Sequence, residues 1–171
     1  MAKSTLNLDD LLTSTKTNFP NRFSHAVQTM PQVPRLIYTP FVGVKTLSVR
    51  AEVQGASENK VYKVIILFTG VDYSATQDTK HPIKIKVTGK KYVWMAPITL
   101  RHKVSASCGC LDFYFAFAHW NWKAGALYGK KRKQYIRKTT TRPEVNPNHV
   151  PGLCKHLIAV WQKVKRSKYF K

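Results

Sequence analysis

Three cysteines and one histidine form the most chemically specific pattern in this 171-residue chain. Cys108 and Cys110 enclose one glycine, and after a spacer of 43 residues Cys154 and His156 enclose one lysine. Three Cys sulfurs and one His nitrogen make a closed tetrahedral ligand set for Zn²⁺. The two pairs use every cysteine, and an odd number of cysteines cannot all be paired in disulfides. The pattern therefore predicts a metal site built from these four side chains.

Each pair needs a local backbone geometry that aims both side chains at one point. Cys108-Gly109-Cys110 fits a β-turn, in which the glycine allows a sharp bend. Residues two apart in mid-helix point about 200° away from each other, so Cys154 must lie where the first helical turn begins. Pro151-Gly152 favours that placement. Two alternatives stay open: buried cysteines without a metal, or a fourth ligand from His102, His119 or His149.

The order Cys-x-Cys, spacer, Cys-x-His resembles the SWIM-type zinc finger, a ββα module. The residues that carry the resemblance are 104–113 and 152–159, and it covers roughly residues 98–165. The resemblance implies that Zn²⁺ is the cofactor. A Cys₃His shell leaves no open coordination position, which favours a structural site over a catalytic one.

The chain is strongly basic, and the charge is uneven along it. It has 29 Lys and Arg against 8 Asp and Glu, a net charge of +21. Residues 1–100 contribute +7 and residues 101–171 contribute +14. Such an excess predicts an anionic partner, either nucleic acid or an acidic protein surface.

Residues 123–142 concentrate this charge and contain no acidic residue. Tyr128 and Tyr135 lie among the cations. We interpret the segment as a phosphate-binding loop that contacts nucleic acid by charge rather than by base recognition. A solvated loop, or one docked on an acidic neighbour, is the alternative. The candidate nucleic-acid-binding residues are Lys123, Lys130, Lys131, Arg132, Lys133, Arg137, Lys138 and Arg142.

The predicted fold class is α+β, an antiparallel β-meander followed by a zinc-fastened ββα unit. Residues 1–42 are predicted as an extended arm, because they are rich in polar residues and proline. Residues 43–97 are predicted as an antiparallel sheet region. Residues 98–171 are predicted as the SWIM-like unit, with residues 119–150 as its basic insertion.

The predicted elements follow from hydrophobic periodicity. Strands are expected at 44–53 and 61–71 around a turn at 54–59, and Ile83, Ile85 and Val87 alternate with lysines. Two further strands, 100–107 and 111–118, flank the Cys-Gly-Cys turn. A helix is expected at 151–168, with its apolar stripe at Leu153, Leu157, Trp161 and Val164.

Nothing in the sequence predicts catalysis or membrane insertion. The carboxylates are scattered, and no phosphate-binding loop, nucleophile elbow or dinucleotide fingerprint occurs. No run of eighteen apolar residues is present. We therefore expect a non-enzymatic protein.

The expected function is that of a structural protein in a large assembly. Residues 108–113, 120–123 and 151–157 are similar to SWIM-bearing virion proteins of tailed bacteriophages. This similarity implies a multi-copy protein of the capsid, neck or tail, assembled in the host cytoplasm among other virion proteins. The alternative is a soluble, cytoplasmic nucleic-acid-binding protein that acts in regulation or genome processing.

Overall fold

The computed structural model describes residues 5–55, 60–89, 91–139 and 141–171. Its architecture is mixed α+β, as predicted. The helices are α1 (Leu8–Asn18), α2 (Pro20–Gln28), α3 (Ala118–Lys123) and α4 (Lys155–Lys165). The strands are β1 (Leu36–Phe41), β2 (Thr46–Gln54), β3 (Val61–Thr69), β4 (Tyr73–Ser74), β5 (Ile83–Lys86), β6 (Tyr92–Met95) and β7 (Lys103–Cys108). Within the described ranges, no helix is long and apolar enough to cross a membrane.

A four-stranded antiparallel sheet in the order β1-β2-β3-β7 forms the centre of the fold. Alternate residues of β2, β3 and β7 are buried on one face, and α4 packs against that face. The predicted strands at 44–53 and 61–71 correspond to β2 and β3. Most of the turn predicted at 54–59 lies outside the described residues. The β3–β7 register places Cys108 opposite Val64. The first candidate ligand is therefore the last residue of a strand that is paired along its whole length.

A second, smaller sheet has the order β4-β6-β5. Ile83 and Ile85 are buried whereas Lys84 and Lys86 are exposed, which confirms the predicted alternation. Each hydrophobic side chain on the inner face removes apolar area from water, and the lysines keep the outer face solvated.

Described residues of the N-terminal region do not form the extended arm that the sequence suggested. Asn7 begins α1 with a capping box: the Asp10 backbone N–H donates to Asn7 Oδ1, and the Asn7 N–H donates to Asp10 Oδ2, both at 2.8 Å. Pro20 opens α2 at the first helical position, where its missing N–H has no cost. Leu8 and Leu11 are buried in the core. The polar composition concealed a helix that gains its stability by packing on the rest of the chain.

The strand predicted at 111–118 is also absent; residues 111–123 are helical instead. A π-helical turn, Phe113–Phe117, leads directly into α3. Phe113, Ala116 and Phe117 are buried while Tyr114 and Phe115 are exposed, a distribution with helical spacing. The alternating phenylalanines suggested a period of two, but burial follows positions three and four apart. The predicted ββα unit is therefore a strand followed by two helical segments.

The C-terminal helix is confirmed, with a later start than predicted. It begins at Lys155, after the extended N-cap residue Cys154 (φ −78°, ψ 167°). The predicted stripe of Leu153, Leu157, Trp161 and Val164 is buried throughout. Cys154 thus lies where the geometric argument requires, at the beginning of the first turn.

Candidate metal centre and basic surface

The four predicted ligands meet in one buried cluster. The sulfurs of Cys108, Cys110 and Cys154 and the near ring nitrogen of His156 all lie within 4.8 Å of one another. All four residues are buried, between 2% and 6% exposed. Within the described part of the chain, this is the group of three or more His, Cys, Asp or Glu residues that could hold a metal ion.

One separation in the cluster matches that of a tetrahedral site, and the others lie within 4.8 Å. With metal–ligand bonds of about 2.3 Å to sulfur and about 2.0 Å to nitrogen, ligand atoms are about 3.6 to 3.8 Å apart. Cys108 Sγ and His156 Nδ1 are 3.8 Å apart. Nδ1 is therefore the ring nitrogen that faces the sulfurs. The donor set and its spacing both fit a tetrahedral cation, and all four positions would be filled by protein.

Cys108 and Cys110 are held by β3 and by the helical segment that follows them. The Gly109 N–H donates to the Lys63 carbonyl at 3.0 Å, which fixes the turn against β3. The Phe113 N–H donates to Cys110 Sγ at 3.3 Å. Gly109 does not have the positive φ that would require a glycine. The expectation that its conformational freedom shapes this turn is therefore wrong; the backbone hydrogen bond shapes it.

Cys154 and His156 are held at the beginning of α4. The Ile158 N–H donates to the Cys154 carbonyl at 3.1 Å, closing the first turn. The His156 ring lies 4.6 Å from the Tyr62 ring, between centroids. Cys110 and Cys154 both precede helical turns, whose free N–H groups stabilise negative charge on a thiolate.

A brace from α1, which the sequence did not reveal, holds the chain that leads into Cys154. The buried Thr15 hydroxyl donates to the Leu11 carbonyl and accepts from the Leu153 N–H, both at 2.8 Å. A Cβ on Gly152 would lie 2.7 Å from the Phe117 ring and 2.9 Å from Thr15 Oγ1. Only glycine fits at position 152 without displacing the neighbouring side chains. A buried threonine in α1 carries no local sequence signal for this role.

The thiols need a positive charge to ionise together. Burial raises the pKa of the Cys154 thiol well above its ordinary value, and the two neighbouring cysteines raise it further. The hydrogen bond with Cys110 raises the pKa of Cys108 to about 12. The hydrogen bonds from Cys108 and then Cys154 lower that of Cys110. Hydrogen bonds between the thiols thus favour ionisation of only one of them, whereas a bound divalent cation would favour all three thiolates.

The three other histidines considered as fourth ligands make different contacts. His102 Nδ1 accepts from the Thr99 N–H at 2.9 Å. His119 Nδ1 lies 2.9 Å from the Arg132 carbonyl. His149 Nε2 lies 2.9 Å from Glu144, and its ring stacks on Trp120. The cluster brings in none of them, so His156 is the histidine of the set.

The segment between the two ligand pairs is closed by two buried asparagines. Asn121 bridges Gly152 with both halves of its amide: its Nδ2 donates to the Gly152 carbonyl at 3.0 Å, and its Oδ1 accepts from the Gly152 N–H at 2.8 Å. Asn146 Nδ2 donates to the Ala116 carbonyl at 2.7 Å, within the π-helical turn. A π-turn leaves carbonyls without their regular partners, and this amide satisfies one of them. The two amides tie the base of the loop together beside the metal cluster.

The predicted nucleic-acid-binding residues lie on the surface, on or after α3. All are exposed except Arg137, which is partly buried. Lys131 Nζ lies 4.3 Å from the Trp122 ring centroid, and Arg132 lies 5.4 Å from that of Tyr114. No ion pair between described residues includes any of the eight cations. Their charge is therefore left for a partner or for solvent.

The tryptophans have different environments. Trp161 is buried in the core, as predicted for a packing residue. Trp120 and Trp122 are only partly buried and carry lysines over their rings.

The chain matches no protein-family model, and neither curated proteins nor solved structures give a significant match.

Proposed function

We propose that this protein is a non-enzymatic, zinc-stabilised structural component of a large assembly that binds nucleic acid through its basic surface. The observation that carries the proposal is the closed Cys₃His cluster at the base of an unpaired basic loop. A site whose four positions are filled by protein has no coordination position for substrate or water, which supports a structural role.

The identity of the metal rests on the donor set. Three sulfurs and one imidazole nitrogen suit Zn²⁺ in tetrahedral geometry, whereas Mg²⁺ and Ca²⁺ require oxygen ligands. The protein as purified should contain one Zn²⁺ per chain by elemental analysis. Removal of the metal with a strong chelator should lower the melting temperature, and added Zn²⁺ should restore it. A metal-free protein with an unchanged melting temperature would contradict the zinc proposal.

Nucleic acid as the anionic partner is supported by the cation–aromatic pairs of the loop. Arginine and lysine next to accessible rings can contact phosphates and bases together. A triple variant that changes Lys130, Lys131 and Lys133 to Ala should have a shallower slope of log K against log salt concentration. The magnitude of the slope should fall by about 2 to 3. The charge-matched control changes Lys84, Lys86 and Lys91, exposed lysines of the small-sheet region. Equal slopes for the two triple variants would argue against the loop as the contact surface.

The assembly that we propose is a tailed-phage virion, and its support is the sequence similarity given above. The N-terminal helices add no support for an assembly, because α1 and α2 pack on their own chain. Co-sedimentation with purified particles distinguishes the two candidate functions. A virion protein stays with the particles in fixed copy number. A regulatory or genome-processing protein would be absent from particles and would bind free nucleic acid.

A further inference from the structure

A large basic cleft lies at the end of the main sheet, and only one of its walls belongs to the segment that the sequence singled out. Its volume is about 1290 Å³, larger than the roughly 300–1,000 Å³ of small-molecule pockets. Its walls come from the β1–β2 connection, the end of β3, the beginning of β7 and residues 122–129. These four parts of the chain meet only in the folded protein.

The cleft carries one sign of charge. Lys45, Arg101, Lys103 and Lys123 line it, and no carboxylate does. All four are exposed, and none takes part in the ion pairs found between described residues. A concave surface lined with cations focuses the potential and attracts anions.

One wall offers an aromatic ring beside these charges. Trp122 lines the cleft and is partly buried, and Lys131 of the basic loop lies over its ring. The cleft is therefore continuous with the loop at this residue. A duplex presents phosphates to a protein surface but keeps its base faces stacked inside, whereas a single strand can place a base on the indole.

The backbone at Lys45 is unusual and supports a role for this side chain. Its φ of +52° lies in the left-handed region, which costs a non-glycine residue about 1 kcal/mol or more. Backbone hydrogen bonds hold it there, from its own N–H to the Val42 carbonyl and from the Val71 N–H to its carbonyl. A glycine would relieve the strain, yet the chain has a lysine that lines the cleft.

We propose that this cleft binds single-stranded nucleic acid, with Lys45, Arg101, Lys103 and Lys123 on the phosphates and Trp122 stacking on an unpaired base. The inference rests on the proposed function and specifies its partner. It adds a second contact surface, at the end of the sheet, to the basic loop.

The test measures binding of a fluorescently labelled oligothymidylate of about 16 nucleotides, within the range that single-strand-binding folds cover. The triple variant of Lys45, Arg101 and Lys103 to Ala should reduce the magnitude of the slope of log K against log salt concentration by about 2. It should weaken single-strand binding at least tenfold. The Lys84, Lys86, Lys91 to Ala control carries the same net charge and should bind within about twofold of the unaltered protein, since its lysines lie outside the cleft.

Two further variants separate binding from folding. Lys45→Gly should weaken binding without lowering the melting temperature, because it removes a charge and relieves a positive φ. Trp122→Phe should remove much of the quenching of tryptophan fluorescence that the unaltered protein shows on binding the oligonucleotide.

The outcomes distinguish this inference from the proposed function. If the loop variant loses binding and the cleft variant does not, the cleft proposal is overturned and the proposed function stands. Equal affinity for a duplex of the same length also overturns it, as does undiminished quenching in Trp122→Phe. If the unaltered protein binds neither nucleic acid, the proposed function fails as well.

Discussion

Two buried histidines belong to clusters of opposite electrostatic character. His156 faces three cysteine sulfurs. His81 lies between two carboxylates: its Nδ1 is 2.9 Å from Asp78 and its Nε2 is 3.2 Å from Asp72. Lys80 also contacts Asp72, at 2.7 Å. Both clusters contain metal-binding residue types, and only the first is arranged to hold a metal.

The difference lies in where the balancing charge comes from. Around His81 the chain supplies two carboxylates and two cations, so the cluster neutralises itself. No ion pair between described residues includes any member of the Cys₃His cluster, and the pKa of Cys110 is lowered by hydrogen bonds from neighbouring thiols rather than by a cation. A cluster of ligand types indicates a metal site when it lacks internal compensation and its atoms converge on one point.

The largest expected effect follows from breaking the first cluster. His156→Gln should remove bound metal and abolish cooperative unfolding, because structural zinc contributes about 10–16 kcal/mol in small zinc-finger peptides and domain stabilities are only about 5–15 kcal/mol. Metal content and circular-dichroism melting measure the effect. The exposed His25→Gln is the matched control and should behave as the unaltered protein. A His156→Gln variant that keeps its zinc and its melting temperature would show that the cluster is not the metal site.

A smaller effect should follow at the brace beneath the cluster. Gly152→Ala should destabilise the protein by about 1–3 kcal/mol, since its methyl group would overlap the Phe117 ring and the Thr15 hydroxyl. Gly109→Ala is the matched control within the other ligand pair. A Cβ there would lie 3.7 Å from the nearest atom, and its φ is not positive, so we expect no loss of stability. Denaturant unfolding compares the two, and equal losses would contradict the brace.

The smallest effect concerns the self-neutralised cluster and depends on pH. The hydrogen bond with Asp78 raises the pKa of His81 above 6.5. The stabilisation that protonated His81 provides is complete below its pKa in the unfolded chain. It is lost as the pH rises through its higher pKa in the folded protein. Lys80 lowers the pKa of Asp72, and His81 lowers that of Asp78, from 3.8. The stabilisation from these two carboxylates is present above their unfolded pKa of 3.8. It is lost as the pH falls through their lowered pKa values in the folded protein.

The cluster should therefore stabilise the fold most between about pH 4 and 6.5. The measurement is the difference in melting temperature between the unaltered protein and His81→Gln across pH. This difference should be largest inside the window and should shrink at alkaline pH. Protonation of the Cys₃His cluster at low pH affects both proteins equally and cancels in the difference. A difference that grows toward pH 8 would reverse the assigned sign.

The sequence was informative where residue type and short spacing decide the outcome. The ligand set followed from chemical identity, and the position of Cys154 followed from the angle between residues two apart on a helix. The strands at β2, β3 and β5 and the buried stripe of α4 followed from local periodicity. Each of these inferences uses only neighbouring residues.

Prediction from sequence was wrong where distant contacts decide. The composition of residues 1–42 predicts too little apolar surface to bury alone, but Leu8 and Leu11 bury theirs against other parts of the chain. The phenylalanines at 113, 115 and 117 alternate as in a strand, yet the fold buries one helical face that includes Ala116. Where a local pattern fits both a strand and a helix, the surface against which the segment packs decides which of the two forms.

The amino-acid sequence by itself determined which atoms can bind a metal and how much positive charge the chain carries. Tertiary structure alone decided that Thr15 braces the ligand-bearing loop, that His81 is neutralised by two aspartates, and that Lys45, Arg101, Lys103 and Lys123 share one cleft. The reason is that coordination chemistry belongs to individual side chains, whereas burial and electrostatic potential depend on residues that only folding brings together.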